Sequence, residues 1–97
     1  ENKPRITIVD PRSNSRHDRE NPLTVRISIQ SAFPIQQVDY FVNGDLVGTE
    51  RSAPRDFVID LDSIPDIVDE SQIVIKVKAY DEKGNTSEEE VAVRLRD

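Results

Sequence analysis

Ser15, His17 and Asp18 carry the hydroxyl, imidazole and carboxylate groups that a hydrolase triad uses. The members of such a triad normally come from separate segments of a fold, because the nucleophile, the base and the orienting group must converge on one point. Three near-adjacent residues of one polar segment do not converge in this way. We therefore expect His17 to be an exposed loop residue, and we assign no catalytic residue in this chain.

A second candidate for chemistry is a pair of carboxylates, Asp60 and Asp62. On a strand, residues two apart share one face, where paired carboxylates could act as acid and base or hold a metal ion. They begin the densest acidic stretch of the chain, which continues through Asp66, Asp69 and Glu70. No element that would form a cleft surrounds them, and runs of like charge usually form a solvated face. We expect such a face and assign no metal site.

A third candidate is a calcium site formed by Asp10, Asp81 and Asn85 at one end of the fold. Calcium prefers six to eight oxygen ligands, and the spacing of these residues does not match an EF-hand loop. The alternative interpretation is local, because Asp81 could accept backbone N–H groups within its own turn, where Gly84 and Asn85 are residue types that tolerate left-handed conformations. The turn residues favour this second interpretation, and we assign no cofactor.

The aromatic residues offer a possible contact surface. Tyr40 and Phe57 are predicted to point inward, which leaves Phe41 and Tyr80 as outward candidates on neighbouring strands. Aromatic side chains on adjacent strands commonly pack against each other and stabilise a sheet. The same two rings could instead form a contact patch for a sugar or a protein, and the sequence leaves both interpretations open.

Composition excludes several function classes. The chain has 97 residues, no cysteine and a single histidine, which allows one domain and excludes disulfides, thiolate catalysis and a multi-histidine metal site. Its net charge of −6 opposes nucleic acid binding. No apolar run approaches the roughly 20 residues of a membrane span. Because the sequence does not begin with Met, we expect residues 1–97 to be one domain excised from a longer protein.

The charge is unevenly distributed. Residues 1–30 carry six bases and four acids, whereas residues 31–97 carry seven bases and fifteen acids. We expect the basic part to be a solvated face and a mobile loop, with contact to an anionic partner such as a wall polymer as the alternative. Five arginines belong to this part: Arg5, Arg12, Arg16, Arg19 and Arg26.

Period-two alternation of apolar and polar residues predicts the elements that must position these groups. Turn residues recur about every 8–12 residues, and Asn43-Gly44 is typical of a type I′ hairpin turn. Residues 10–22 contain no apolar residue larger than proline and are predicted to be a mobile loop. The pattern predicts an all-β sandwich of seven antiparallel strands. The strands are expected at 5–9, 23–30, 37–43, 45–49, 57–61, 73–79 and 91–96.

The core should be built from aliphatic residues, because the chain has neither a disulfide nor a tryptophan to pin two sheets together. The inward-facing positions of the predicted strands supply it. The predicted core residues are Ile6, Ile8, Leu23, Val25, Ile27, Ile29, Val38, Tyr40, Val42, Phe57, Ile59, Leu61, Ile73, Ile75, Val77, Ala79, Val91, Val93 and Leu95.

Three segments carry a resemblance to a known family: residues 38–49, Ala53-Pro54 and residues 77–85. In sequence and order they resemble the bacterial immunoglobulin-like domains appended to cell-envelope proteins and secreted glycoside hydrolases. The resemblance implies an immunoglobulin-like or fibronectin type III-like sandwich with a non-catalytic accessory or spacer role. Residues 21–25 and 35–41 look most like the C-terminal domains of penicillin-binding proteins, which act in murein synthesis.

The resemblance also implies a setting and a set of partners. An extracytoplasmic location is expected, in the cell envelope, the periplasm or a secreted protein. The expected partners are neighbouring domains of the parent chain and a cell-wall polymer or protein, with no nucleic acid and no membrane insertion. The alternative function is a module for binding carbohydrate or wall polymer, or for calcium-dependent adhesion.

Overall fold

Eight β-strands and one 3₁₀ helix form the described part of the computed structural model, which comprises residues 3–51, 56–64 and 72–96. The helix spans Leu61–Ser63, between the sixth and seventh strands. The strands are β1 (Arg5–Asp10), β2 (Ser15–Asp18), β3 (Leu23–Gln30), β4 (Ile35–Val42), β5 (Asp45–Glu50), β6 (Asp56–Ile59), β7 (Gln72–Asp81) and β8 (Thr86–Arg96).

The strands form two sheets, which confirms the all-β sandwich. The smaller sheet has the order β1-β3-β6, and the larger has the order β2-β8-β7-β4-β5. All neighbours are antiparallel except β2, which runs parallel to β8. The prediction of seven strands, all antiparallel, is therefore corrected to eight described strands with one parallel pair.

The additional strand, β2, lies within residues 10–22, where the sequence predicts a mobile loop. Backbone hydrogen bonds extend its pairing with β8 at both ends, from Asn14 N to the Ala92 carbonyl and from Arg19 N to the Arg96 carbonyl, each at 2.7 Å. Strand pairing uses backbone N–H and C=O groups, which do not depend on the side chain, so it does not require apolar and polar residues to alternate. A polar four-residue strand is for this reason difficult to recognise from the side-chain pattern.

The hairpin between β4 and β5 confirms the turn predicted at Asn43-Gly44. Both residues have positive φ, 51° for Asn43 and 90° for Gly44, as a type I′ turn requires. Further along the hairpin, the register shifts at a β-bulge between Tyr40 and Phe41. The shift places Gly48 opposite Tyr40 and Thr49 opposite Asp39.

Sixteen of the predicted core residues are buried between the two sheets. The other three, Ile8, Ile29 and Phe57, are half-buried and pack against the edge of this core. Leu61 is buried as predicted, but it belongs to the 3₁₀ helix because β6 ends at Ile59. The alternation of apolar and polar residues therefore predicted correctly that Leu61 is buried, but it predicted the wrong type of secondary structure for this residue.

An aromatic pair connects the two sheets. The ring of Phe57, on β6, stacks on the ring of Tyr40, on β4, with centroids 4.3 Å apart and planes 8° from parallel. Gly48 makes room for this arrangement, since a Cβ atom there would lie 2.1 Å from the Phe57 Cζ atom. The fully buried Tyr40 also donates a hydrogen bond from its hydroxyl to Glu50 Oε1, at 2.7 Å.

Gly48→Ala should destabilise the domain by about 1–3 kcal/mol, because the new methyl group displaces the Phe57 ring. The penalty should nearly vanish in a Phe57→Ala background, since the displaced ring is then absent. Urea unfolding of the two single variants and the double variant measures this coupling. Val58→Ala, at a position 58% exposed on the same strand, is the control and should change stability by less than about 0.5 kcal/mol. Additive effects of the two substitutions would contradict the proposed role of Gly48.

Candidate functional site

The residues of the suggested triad lie on β2 but do not form a catalytic arrangement. Because side chains alternate along a strand, His17 and Asp18 point to opposite faces. His17 Nε2 lies 3.0 Å from the Asn21 carbonyl oxygen, and Asp18 forms an ion pair with Arg96. His17 is half-buried rather than exposed, and it lies on a strand rather than in a loop.

The carboxylates of Asp60 and Asp62 do not share a strand face, so that prediction is wrong. Asp60 follows the end of β6 and caps the 3₁₀ helix, where its side chain accepts a hydrogen bond from Asp62 N at 3.1 Å. This is the usual function of aspartate at a helix N-terminus. The acidic residues that follow them in sequence, Asp66, Asp69 and Glu70, lie outside the described residues.

Asp81 is held by donors of its own turn, as the local interpretation predicts. Its side chain is 1% exposed. One carboxylate oxygen accepts the backbone N–H groups of Lys83 and Asn85, and the other accepts Asn85 Nδ2, all at 2.9 Å. The carboxylate thus stabilises the turn between β7 and β8.

Asp10 lies far from this turn. The start of β1 adjoins the start of β8, where the Ser87 hydroxyl donates to the Pro4 carbonyl. Asp10 lies at the other end of β1, with a carboxylate oxygen 4.0 Å from Arg26. The structure therefore does not bring Asp10 together with Asp81 and Asn85. Across residues 3–51, 56–64 and 72–96, no group of three or more histidine or acidic side chains is arranged to hold a metal ion.

Two opposing effects act on the pKa of the Asp81 carboxyl group. Burial raises the pKa, because it disfavours the charged form. The hydrogen bonds from the Asn85 side chain and from the backbone of Asn85, Lys83 and Gly84 lower it, and together they leave the pKa below its ordinary value. The folded state therefore favours the ionised carboxylate.

This lowered pKa predicts a loss of stability in acid. The contribution of Asp81 should be complete above the pKa of an unfolded aspartate, about 4, and should be lost as the pH falls through the lower folded pKa. Urea midpoints measured from about pH 7 to about pH 3 should therefore fall less steeply for Asp81→Asn than for the natural chain. Asp45→Asn, at an exposed position, should keep the natural pH dependence. Equal slopes for Asp81→Asn and the natural chain would contradict this prediction.

The outer face of the larger sheet contains a buried carboxylate that the sequence pattern did not reveal. Asp39 is only 7% exposed although it points away from the core. Three side chains donate to it: Gln37 Nε2 and Thr49 Oγ1 to one oxygen, both at 2.9 Å, and the Tyr80 hydroxyl to the other, at 3.0 Å. The β-bulge in the hairpin places Thr49 beside Asp39, so alternation alone could not have indicated this cluster.

Phe41 and Tyr80 lie on this same face, and both rings are half-buried. Lys76 Nζ lies 5.7 Å from the Phe41 centroid, and Lys78 Nζ lies 5.1 Å from the Tyr80 centroid. Tyr80 pairs with Gln37, four residues before Phe41 on β4, which separates the backbone positions of Phe41 and Tyr80 by about 13 Å along the strands. This arrangement differs from an open flat platform, and a contact role for the two rings stays a prediction.

Asp39→Ala should destabilise the domain by about 1–3 kcal/mol, because it leaves three donors without their acceptor. Tyr80→Phe removes one of these hydrogen bonds and should cost about 1 kcal/mol. Chemical denaturation at neutral pH measures both changes in the free energy of unfolding. Asp45→Ala removes an exposed carboxylate from the same hairpin and serves as the control, with an expected change below about 0.5 kcal/mol. Equal effects at positions 39 and 45 would show that the cluster does not stabilise the face.

Comparison with known proteins agrees with this architecture. A family model described as a bacterial Ig domain matches residues 4–77. The chain belongs to the bacterial Ig domain family. The solved fibronectin(III)-like modules of Clostridium thermocellum CbhA superpose with a TM-score of 0.79 at 23% identity. The match covers 98% of this chain and 47% of that chain, so this chain spans about half its length. The search of curated proteins returns no match.

This membership confirms the immunoglobulin-like, fibronectin type III-like fold that the sequence motifs imply. Bacterial Ig domains are generally non-catalytic and typically occur in extracellular proteins. In the part of the chain that the structure describes, no helix is long and apolar enough to span a membrane. These findings are consistent with an accessory domain.

Proposed function

We propose that this domain is a non-catalytic spacer within a larger extracytoplasmic protein of a bacterium. The observation that carries the proposal is the position of the two chain ends. The described chain begins at Lys3 and Pro4, beside the first residues of β8, and finishes at Arg96, where β8 ends. The domain is elongated, with extents of 42 × 21 × 20 Å.

The two ends lie at opposite ends of this elongated domain because β8 runs along it. β8 has eleven residues, which span about 33 Å at the usual rise of a strand. A polypeptide that continued beyond both ends would enter the domain at one end and leave it at the other. The domain would therefore separate its neighbours by up to its full length of 42 Å.

The longest strands give such a spacer a stiff centre. β7 is the middle strand of the larger sheet and β8 is its neighbour, and nine pairs of residues keep them in register from Gln72 to Tyr80. The inward side chains of β7 and of the second half of β8 (Val91, Val93 and Leu95) are buried in the core, which couples the two strands to the smaller sheet. Close packing of this kind resists bending because each side chain is fixed by its neighbours.

Within this function we propose a penicillin-binding protein as the parent, with the domain at its C-terminal side and a role in murein synthesis. The support is the resemblance of residues 21–25 and 35–41, which lie at the start of β3 and along β4. The immediate partners of the spacer are then the neighbouring domains of its own chain.

A replacement experiment in the parent protein tests the spacer. Deleting residues 3–96 should lower the activity of the neighbouring catalytic domain on insoluble murein and leave its activity on a small soluble substrate unchanged. An unrelated sandwich of equal length, with its ends also at opposite ends, should restore the activity on murein. A deletion without effect would overturn the proposal. Failure of the replacement would also overturn it, because a contact specific to this sequence would then be required.

A further inference from the structure

Two arginines lie directly opposite each other at one end of the larger sheet. Arg16 on β2 pairs in register with Arg94 on β8. On its other side, Arg94 pairs with the neutral Gln72 of β7. Like charges at directly opposed positions destabilise a sheet, so this arrangement works against folding.

The rest of the same face is arranged differently. The two lysines of β7, Lys76 and Lys78, lie opposite Glu90 and Glu88 of β8, so each cation there has an acidic neighbour. Arg96 also has one, since it forms an ion pair with Asp18. Within the described residues, neither Arg16 nor Arg94 has a carboxylate at ion-pair distance. Among the described residues, an excess of positive charge therefore remains at this corner, although the net charge of the protein is −6.

These arginines border a shallow cavity of about 470 Å³, which is also lined by Gln72, Leu95 and Arg96. Arginine guanidinium groups bind carboxylate and phosphate through two parallel hydrogen bonds. The Gln72 amide can both donate to and accept from a hydroxyl group. The cavity thus offers partners for an anion and for hydroxyl groups beside it.

We propose that this corner, formed by Arg16, Gln72 and Arg94, binds the anionic groups of an acidic glycan or a sugar–alcohol phosphate polymer. An oxyanion between the two guanidinium groups would replace their mutual repulsion by two charge-assisted contacts. The hydroxyl groups of such a polymer can form hydrogen bonds with the Gln72 amide. An acidic side chain of a peptide has no hydroxyl group to form them. The proposal relies on the proposed function in one respect, the extracytoplasmic setting in which the domain would meet the polymer.

The test measures binding of three soluble polymers to the intact domain: alginate, poly(glycerol phosphate) and poly-L-glutamate. Titration calorimetry at physiological salt should detect binding of alginate or poly(glycerol phosphate). Binding of the first identifies carboxylate as the anion, and binding of the second identifies phosphate. Arg16→Gln and Arg94→Gln should each weaken that binding about tenfold. Arg5→Gln, an exposed arginine on the other sheet, should bind as the natural chain does.

Thermal unfolding separates a binding role from a structural one. A polymer that binds the folded state should raise the unfolding temperature. This increase should be absent in Arg16→Gln and in Arg94→Gln. Without polymer, both variants should be at least as stable as the natural chain, because each substitution removes the repulsion between the two arginines.

Three results would overturn the site. They are unchanged affinity in both arginine variants, no binding of either hydroxyl-bearing polymer, and equal or tighter binding of poly-L-glutamate. These results concern affinity for an anionic polymer, whereas the replacement experiment, carried out on murein free of attached anionic polymer, measures the separation of the neighbouring domains. Either proposal can therefore fail without the other.

Discussion

Side-chain packing rather than a disulfide holds the two sheets together, since the chain has no cysteine with which to link them. Aliphatic residues fill most of the space between the sheets, and the rings of Tyr40 and Phe57 stack on each other across it. This contact depends on one β-bulge. The bulge brings Gly48 opposite Tyr40, where the missing side chain leaves room for the Phe57 ring.

The same bulge organises the opposite face of the sheet. It moves Thr49 beside Asp39, whose carboxylate is then satisfied by three side-chain donors. Asp81, the other buried acid, is satisfied within its own turn. In the described residues, no buried side-chain nitrogen or oxygen atom lacks a hydrogen-bond partner. Both carboxylates therefore have a structural explanation. Arg16 and Arg94, which have no carboxylate at ion-pair distance among the described residues, are the part of the outer face that stability does not explain.

Alternation predicted the elements that bury one complete face, such as β3 and β7, because burial imposes a period of two on their side chains. It failed where other interactions decide the structure. β2 is joined to β8 by backbone hydrogen bonds, and Leu61 is buried from a helix. A regular two-residue hairpin would pair Asp39 with Gly48, so the polar cluster becomes visible only once the bulge is known. The opposed arginines likewise depend on the β2–β8 register, which the side-chain pattern of residues 10–22 does not reveal.

The parallel pairing of β2 with β8 has a mechanical consequence. Force applied to the two ends of the domain would pull β8 toward its C-terminal end and the N-terminal strands the opposite way. The hydrogen bonds between β2 and β8 lie across this direction, so they would be loaded in shear and would have to break together. Strands that are peeled apart from one end instead release their bonds one at a time. The short polar strand would thus protect the domain against extension.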